Sequence, residues 1–289
     1  MFVHGDNLEQ KEQHKTKYRD ATSRKYLAEI RAKYDVWKKA NETLKGPLDK
    51  AKKGDHALLR KRVILLNEYK DFIDKQKYAQ QFDSRSNLHS SVLEEFMYYL
   101  FRDLVASMSA SALIGKSHTF KDLFFLSESY EKMLESPRVM IERKDHDFAI
   151  GVKLAASFRS EGSKVPQYEK WDIPAVAIEC KTYLDKTMLQ DASTASEQVK
   201  YRNPSALYVV VAEWLKLTES VNLRKSKIDQ VYVLRKQKNT DREFRYDPAY
   251  VKNPIYDDVV INLFDLVRTF LTSPWEGGVT HGLAKGILI

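Results

Sequence analysis

Two segments carry the clearest structural pattern in the chain: Ile173-Pro174-Ala175-Val176-Ala177-Ile178-Glu179-Cys180-Lys181 and, upstream, Lys144-Asp145-His146-Asp147-Phe148-Ala149-Ile150-Gly151-Val152. Each contains an apolar run next to charged residues, which predicts a buried strand. Side chains on a strand alternate between its faces, so Glu179 and Lys181 are predicted to project on one face and Ile178 and Cys180 on the other. With Asp147, which opens the upstream run, they predict a small polar site on a buried sheet.

A glutamate two residues before a lysine is a common pattern, so the triplet needs a control. The chain contains four of them, which start at Glu9, Glu68, Glu142 and Glu179. The first two fall in Lys-rich sequence with helical periodicity, where this spacing turns the two side chains onto different parts of the helix surface. Glu142 ends an apolar run, but no aspartate-led strand precedes it. Only Glu179 has such a strand upstream.

The composition is typical of a folded protein of one or two domains. Of the 289 residues, 43% are hydrophobic and 11% aromatic, which is enough for one sizeable core. The single cysteine, Cys180, excludes an internal disulfide and fits a reducing compartment, and its strand position favours a small buried side chain over a nucleophile. The N-terminus lacks a signal-peptide pattern and no apolar run approaches the ~18 residues of a membrane span, so we expect a cytoplasmic protein with no membrane contact.

The positive charge is concentrated at the N-terminus. Residues 1–82 contain 20 Lys and Arg against 12 Asp and Glu, a surplus that accounts for the whole net charge of +8. Helical patterns over 8–43 and 48–78, separated by Gly46-Pro47, predict a basic helical arm over 1–83 and a second domain over 84–289. The basic residues of the helical arm either lie along a phosphate backbone or form an ordinary solvated surface. They include Lys50, Lys52, Lys53, Arg60, Lys61 and Arg62.

The rest of the chain alternates between strand and helix patterns. Ser84-Arg85-Ser86-Asn87 predicts a cap and boundary before a helix over 88–106, and the small polar residues 107–118 predict a flexible loop. Strands are predicted over 139–141, 147–154, 173–181, 207–212 and 231–234, and helices over 128–134, 187–201 and 259–271. This order predicts an α/β fold, with a mixed central sheet and helices on both of its faces.

The same residues resemble the core of the PD-(D/E)XK nucleases. Asp147 would lie at a strand start and Glu179-Cys180-Lys181 at the end of the next long strand, before a helix and a hydrophobic strand. More specifically, the tract from Ile173 to Leu189 resembles the Bpu-type family of type II restriction endonucleases. The resemblance covers about residues 85–271 and implies a restriction-endonuclease-like core behind the helical arm. It also implies cleavage of an asymmetric CCTNAGC-type site by two different subunits.

The chemistry of phosphodiester hydrolysis agrees with this resemblance. A divalent metal activates water and offsets the charge that develops on the phosphoryl oxygens. Mg²⁺ prefers oxygen ligands and keeps several waters, so Asp147 and Glu179, on adjacent predicted strands, suffice to bind it. Lys181 can orient the attacking water and offset charge at the scissile phosphate, or it is simply a strand-end lysine that reaches solvent. His146 stands where the family name leads one to expect proline, so Asp145 remains an alternative to Asp147.

An auxiliary acid is expected on the helix over 88–106. Glu94 lies at the edge of the apolar stripe of this helix, and in the nuclease fold that the sequence resembles such a glutamate often contacts metal-bound water. Glu95 beside it and Glu197 on the helix after Lys181 are alternatives. Each of the three is otherwise an ordinary surface charge.

Three functions follow from these patterns. The favoured prediction is a Mg²⁺-dependent, site-specific type II restriction endonuclease subunit that acts on double-stranded DNA, as a heterodimer with a second nuclease subunit or as a homodimer. The alternatives are a non-catalytic DNA-binding protein that uses its helical arm, and a structure-specific or repair nuclease with the same core. The polar segments 157–170 and 236–247 are the candidates for base contacts, and each is otherwise an ordinary solvated loop. The second carries Lys236, Lys238, Arg242 and Arg245.

Overall fold

The structure is a computed structural model that describes residues 2–82, 87–161, 163, 165–218, 220–238, 249–275, 283 and 286. Within these residues, a five-stranded mixed sheet is flanked by helices, and an N-terminal group of helices packs against it. The predicted α/β class with a helical N-terminal region is confirmed. Across the described residues, no helix combines the length and apolar character that a bilayer crossing requires.

Residues 2–82 contain the helices α1 (Val3–Glu12), α2 (Ala21–Thr43), α3 (Asp55–Ile73) and α4 (Gln76–Gln81). The single helix predicted over 8–43 is wrong, because the chain leaves helical geometry after Glu12. Asp20 then starts α2 by accepting the backbone N–H of Ser23 at 2.8 Å. Hydrophobic periodicity does not register such a cap, which offers the backbone a partner outside the helix.

The break predicted at Gly46-Pro47 is confirmed, but the second helix starts later than predicted. Gly46 has a φ of +84°, a backbone conformation that favours glycine. Arg62 of α3 donates to the carbonyls of Leu44 at 2.9 Å and Gly46 at 3.0 Å. The connection between α2 and α3 is therefore held by a buried side chain from the helix that follows it.

The sheet consists of β1 (Leu113–Phe125), β2 (Val139–Phe158), β3 (Gln167–Leu184), β4 (Leu207–Leu215) and β5 (Gln230–Val233), in that spatial order. β1, β2 and β3 pair antiparallel, whereas β3, β4 and β5 pair parallel. The remaining elements are α5 (Ser90–Met108), α6 (Tyr130–Glu135), α7 (Lys186–Arg202), the 3-10 turn Leu223–Lys225 and α8 (Asp257–Thr272). Helix α7 makes the crossover between the parallel strands β3 and β4.

Two expectations for the first strands are wrong. Residues 107–118 are not one loop, because β1 begins at Leu113, and the strands predicted over 139–141 and 147–154 are one continuous strand, β2. The exposed residues Arg143, Lys144 and Asp145 interrupt the apolar pattern, yet they pair with β1. An antiparallel pair tolerates a solvated face, so a break in hydrophobicity there is not a break in the strand.

A bulge in β2 places Asp147. Gly115 pairs with Ala149 and Ser117 with His146, so Asp147 and Phe148 together lie opposite the single residue between them on β1. Such a β-bulge bends the strand and changes the direction of the side chains around it. Asp147 therefore lies inside a long strand, not at a strand start as predicted.

A second irregularity explains the proline within β3. Ile150 pairs with Val176 and Gly151 with Pro174, so one extra residue of β3 is accommodated there. Proline has no N–H to give to a ladder and is tolerated at bulges. A Cβ on Gly151 would lie 2.1 Å from the carbonyl oxygen of Ile173, so only glycine permits this approach of the two backbones.

The core lies on both faces of the sheet. One hydrophobic cluster joins α2, α3, α5 and α8 to one face, and the Phe101 and Phe264 rings stack in it with centroids 5.7 Å apart. A second cluster packs α7 on the other face, around Tyr208 and Val210. The N-terminal helices thus share a core with the sheet. The predicted boundary at 83/84, like the cap at Ser84-Arg85-Ser86, falls outside the described residues and stays a prediction.

Candidate active site

The side chains of Asp147, Glu179 and Lys181 meet at one point. Lys181 Nζ lies 3.3 Å from Asp147 Oδ2 and 3.0 Å from Glu179 Oε2. The backbone N–H of Cys180 also donates to Asp147 Oδ2, at 2.9 Å. The side chains of Asp147 and Lys181 are 29% and 28% exposed, whereas that of Glu179 is 10% exposed. The cluster is therefore partly desolvated and reaches the surface through Asp147 and Lys181.

Strand alternation in β3 produces half of this arrangement. Ile178 and Cys180 belong to the hydrophobic cluster under α5, whereas Glu179 contacts Tyr208, which belongs to the cluster under α7. This alternation confirms the predicted division of faces. Cys180 is buried, as predicted, and burial raises the pKa of its thiol far above its usual value.

The bulge in β2 supplies the other half. On a regular strand, His146 and Asp147 would project to opposite faces. Here Asp147 contacts Lys181, and Nδ1 of His146 lies 3.1 Å from Glu179 Oε1. Both consecutive residues thus reach the same cluster, which is the kind of redirected side chain that a bulge permits.

The acidities of the two carboxylates differ. Burial opposes ionisation of Glu179, but hydrogen bonds and positive charge from His146 and Lys181 outweigh it and hold the pKa of Glu179 well below its usual value. Burial raises the pKa of Asp147, and the negative charge of Glu179 raises it further. Glu179 is therefore the permanent anion of the pair, and Asp147 takes up a proton more readily.

Lys181 is a stable cation in this environment. Burial lowers the pKa of its ammonium group, but the charges of Asp147 and Glu179 outweigh burial and leave the pKa above its usual value. The lowered pKa that desolvation alone would produce is therefore not found. At neutral pH the side chain acts as a hydrogen-bond donor and a positive charge.

Glu94 of α5 lines the same cleft as Asp147 and Lys181. Burial, followed by the negative charge of Asp147, raises the pKa of Glu94 to about 7. A carboxyl group with such a pKa exchanges protons near neutral pH. Of the three candidate helix acids, Glu94 is the one that the structure brings to the cluster.

Glu95 and Glu197 lie elsewhere. The carboxylate of Glu95 is completely buried and accepts the backbone N–H groups of His4 and Gly5, at 2.9 Å and 3.1 Å, together with the hydroxyls of two tyrosines. It thereby stabilises the N-terminus of α1. Glu197 is exposed on α7. Two adjacent glutamates on one helix thus have unrelated environments.

Asp145 is separated from the cluster. Its carboxylate is 63% exposed and lies 2.6 Å from Nδ1 of His118, on the neighbouring strand. Asp147 is the residue that reaches Lys181. The geometry thus favours Asp147 over Asp145 as the first acid of the motif.

The cleft above the cluster has a volume of about 620 Å³. Helix α1 contributes Asp6, Asn7 and Gln10 to its lining, which also includes Asp147 and Lys181. Sequence reasoning missed this helix, since the pattern over 8–43 began in its middle and ran on past its end. No periodicity in the first residues indicates that they return to the site. Contact with the buried carboxylate of Glu95 brings them there.

The basic residues of the N-terminal region have mixed environments. Arg62, predicted as a possible phosphate contact, is buried and hydrogen-bonded to backbone carbonyls, so it cannot reach DNA. Arg60 pairs with Asp257 at 2.9 Å. Lys50, Lys52, Lys53 and Lys61 are exposed. In the segment 236–247, Lys236 pairs with Asp258, while Arg242 and Arg245 lie outside the described residues.

The cluster suits a hard divalent cation. Asp147 Oδ2 and Glu179 Oε2 converge on one ammonium group and so already accommodate a positive charge between them. In the described part of the chain, no three or more His, Cys, Asp or Glu side chains assemble into a metal site. Mg²⁺ needs only one or two carboxylates, because water and substrate oxygens complete its shell. The residues present therefore fit Mg²⁺ better than a metal that requires a closed protein cage.

Comparison with known proteins agrees with the site. The model of the Bpu10I restriction endonuclease family matches residues 85–273. A solved structure described as the native BbvCI A2B2 tetramer at low resolution has a similar fold, with a TM-score of 0.69. The alignment has 20% identity and covers 93% of this chain and 96% of that chain. No curated protein matches.

The matched region contains all four residues that sequence reasoning proposed, and the predicted family resemblance is confirmed. Membership of this family favours the restriction prediction over a non-catalytic DNA-binding protein and over a repair nuclease. The chain belongs to the Bpu10I restriction endonuclease family.

Proposed function

We propose that this chain hydrolyses phosphodiester bonds in double-stranded DNA, with Mg²⁺ held by Asp147 and Glu179. The observation that carries the proposal is the convergence of these two carboxylates and Lys181 beside an open cleft. Restriction enzymes act on DNA inside the cell, so we expect a cytoplasmic location.

Each side chain has a distinct role in this proposal. Mg²⁺ bound at the cluster would supply a water of lowered pKa and offset negative charge on the phosphate. Lys181, as a permanent cation, orients the attacking water and stabilises the charge that develops at the scissile phosphate. Glu94, with a pKa of about 7, accepts a proton from that water. Glu179 stays ionised throughout.

We further propose that the chain acts with a second, different nuclease subunit. Two strands of a duplex must be cut, and we propose that each subunit carries one such cluster and cuts one strand. A heterodimer suits an asymmetric sequence, whereas a homodimer suits a palindrome. The solved BbvCI structure is described as an A2B2 tetramer, which supports the first arrangement.

The test uses supercoiled plasmid of mixed sequence, Mg²⁺, and the full-length protein with and without the product of the adjacent gene. We expect discrete ends at one sequence when both proteins are present. Lys181→Ala combined with a wild-type partner should yield nicked circles instead of linear DNA, because only one strand is cut. Lys153→Ala, an exposed lysine of β2, is the control and should still give linear DNA. Random degradation, or no cleavage in any combination, would overturn the proposal.

A further inference from the structure

The carboxylate of Glu179 has two differently occupied oxygens. Oε2 faces Lys181 at 3.0 Å, on the side of the cleft. Oε1 points into the sheet and lies 3.1 Å from His146 Nδ1 and 3.1 Å from the hydroxyl of Tyr208, which donates to it. Because an ionised carboxylate only accepts hydrogen bonds, Nδ1 of His146 carries the proton that it shares with Oε1. One oxygen is thus held from behind by two donors, while the other accepts from Lys181 on the side of the cleft.

The two donors are fixed by burial. The side chain of His146 is completely buried, and so is Tyr208. Their rings meet edge to face, with centroids 5.7 Å apart. Tyr208 lies on β4 and His146 on β2, so the two neighbours of β3 each contribute one hydrogen bond to Glu179. Neither ring can turn away without disturbing the packing of the sheet.

The far side of the His146 ring argues against a simple packing role. In the described part of the chain, Nε2 of His146 is buried without a hydrogen-bond partner. Burying a polar atom without a partner is unfavourable, and a leucine or phenylalanine at the same position would avoid this penalty. An apolar side chain would therefore be more stable than the imidazole if the position served packing alone. The contact of its other nitrogen with Glu179 is the feature that distinguishes it from an apolar residue.

We propose that His146 and Tyr208 are positioning residues that lock the Glu179 carboxylate so that Oε2 is presented to the divalent cation. This inference rests on the proposed role of Glu179 as a metal ligand. Groups that orient a metal ligand typically change metal affinity by about 10–100-fold when they are removed. His146 thus replaces the proline expected before the first motif acid with a group that acts on the second acid.

The experiment measures binding of Mn²⁺ alone to the full-length protein, by electron paramagnetic resonance of the free ion, without DNA or turnover. Mn²⁺ takes the same oxygen ligands as Mg²⁺. Tyr208→Phe removes one oxygen atom and should weaken Mn²⁺ binding by about 10-fold. His146→Leu should weaken it by a similar factor. His146→Asn should stay within about 3-fold of wild type, because its amide nitrogen lies as many bonds from the backbone as Nδ1.

Matched controls separate positioning from general loosening of the sheet. Tyr232 lies on β5, away from the cluster, and its hydroxyl donates to Asn262 at 2.8 Å. Tyr232→Phe removes this hydroxyl and should leave Mn²⁺ affinity unchanged. In a Glu179→Gln background, Tyr208→Phe should cause no further loss of affinity. In cleavage assays, the Mg²⁺ concentration at half-maximal rate should rise more than the maximal rate falls.

The two possible failures can be told apart. If Glu179→Gln leaves Mn²⁺ affinity unchanged, Glu179 is not a metal ligand and both the proposed function and this inference fail. If Glu179→Gln weakens binding but folded Tyr208→Phe does not, only the positioning role is overturned. Equal losses in His146→Asn and His146→Leu would also overturn it, because the retained donor would then have no value.

Discussion

Two clusters of charged side chains lie on neighbouring strands of the sheet, and they differ in access to solvent. Beside β3, Glu94, Asp147 and Lys181 line an open cleft, and Glu179 contacts Lys181 next to it. Beneath β4, Glu213 lies 2.8 Å from Lys70 and 3.1 Å from Arg235, and all three side chains are at most 1% exposed. Similar residue types thus occupy two environments that differ in access to solvent.

The balance of charge differs as well. The buried cluster pairs Lys70 and Arg235 with Glu213 and with Asp74, whose oxygens lie 3.4 Å and 3.7 Å from the two cations. The open cluster has three acids around Lys181, and one of them, Glu94, has a pKa raised to about 7. A closed, balanced network joins elements together, whereas an open one with excess negative charge and perturbed acidity is typical of a functional site.

The largest effect is expected from opening the buried cluster. Glu213→Gln removes the charge of the closer of the two carboxylates that Lys70 and Arg235 share, and breaking such a buried pair costs about 3–5 kcal/mol of unfolding free energy. Urea unfolding measures it. Glu135→Gln, in the exposed pair with Lys132, is the control and should cost less than about 1 kcal/mol. Equal effects of the two changes would contradict the comparison.

The open cluster should respond in activity more than in stability. Lys181→Met removes the cation beside the proposed water and should lower the cleavage rate about 10²–10³-fold. Its effect on unfolding should be smaller than that of Glu213→Gln, because 28% of the side chain is exposed. Single-turnover cleavage and urea unfolding of the same preparation measure both. If Lys181→Met lowered the free energy of unfolding but left the cleavage rate normal, the open cluster would have a structural role and not a catalytic one.

An intermediate effect is expected from Glu94 as a function of pH. A carboxyl whose folded-state pKa is raised stabilises the fold below its unfolded pKa, and this contribution is lost as pH rises through the folded value, here about 7. Between pH 5.5 and 8, the free energy of unfolding of the wild type should therefore fall by about 2 kcal/mol more than that of Glu94→Gln. Unfolding in metal-free buffer measures this difference.

The control for this pH dependence is Glu197→Gln, because Glu197 is exposed on α7. The free energy of unfolding of this variant should change between the two pH values by the same amount as that of the wild type. The same pH dependence in wild type and Glu94→Gln would show that Glu94 does not share the electrostatic environment of the open cluster.

The smallest effect is expected at Asp145. Its pair with His118 is exposed on both sides, and such pairs contribute about 0–1 kcal/mol. Asp145→Asn should leave the cleavage rate within about 2-fold of wild type, whereas Asp147→Asn should abolish detectable cleavage. Parallel assays of the two variants at one Mg²⁺ concentration distinguish them. A severe loss of cleavage rate in Asp145→Asn would show that Asp145 also belongs to the open cluster.

The sequence predicted what depends on short-range pattern. Alternation along 173–181 placed Glu179 and Lys181 on one face, and the motif around them was sufficient to identify the family. The crossover helix and the parallel strand after it were also predicted, because each is a continuous apolar or amphipathic run. Cys180 was correctly expected to be buried.

The wrong predictions came from features that local sequence pattern does not encode. Exposed charges in β2 concealed a continuous strand, since pairing with β1 holds residues that do not look like a strand. The bulge that directs both His146 and Asp147 to Glu179 depends on register between two strands, and no spacing in either strand alone indicates it. Arg62 looked like a surface charge because its carbonyl partners come from a different segment.

The class of fold, the family, and the acid and lysine that share a strand face could all be read from the sequence, because each depends on runs of neighbouring residues. Three further features required the folded structure: Glu94 and not Glu95 lines the cleft, α1 forms one of its walls, and Lys70 and Glu213 belong to a separate buried network. These outcomes depend on contacts between residues far apart in the chain. Burial and pairing, which set the acidity and the role of a charged group, exist only once those contacts have formed.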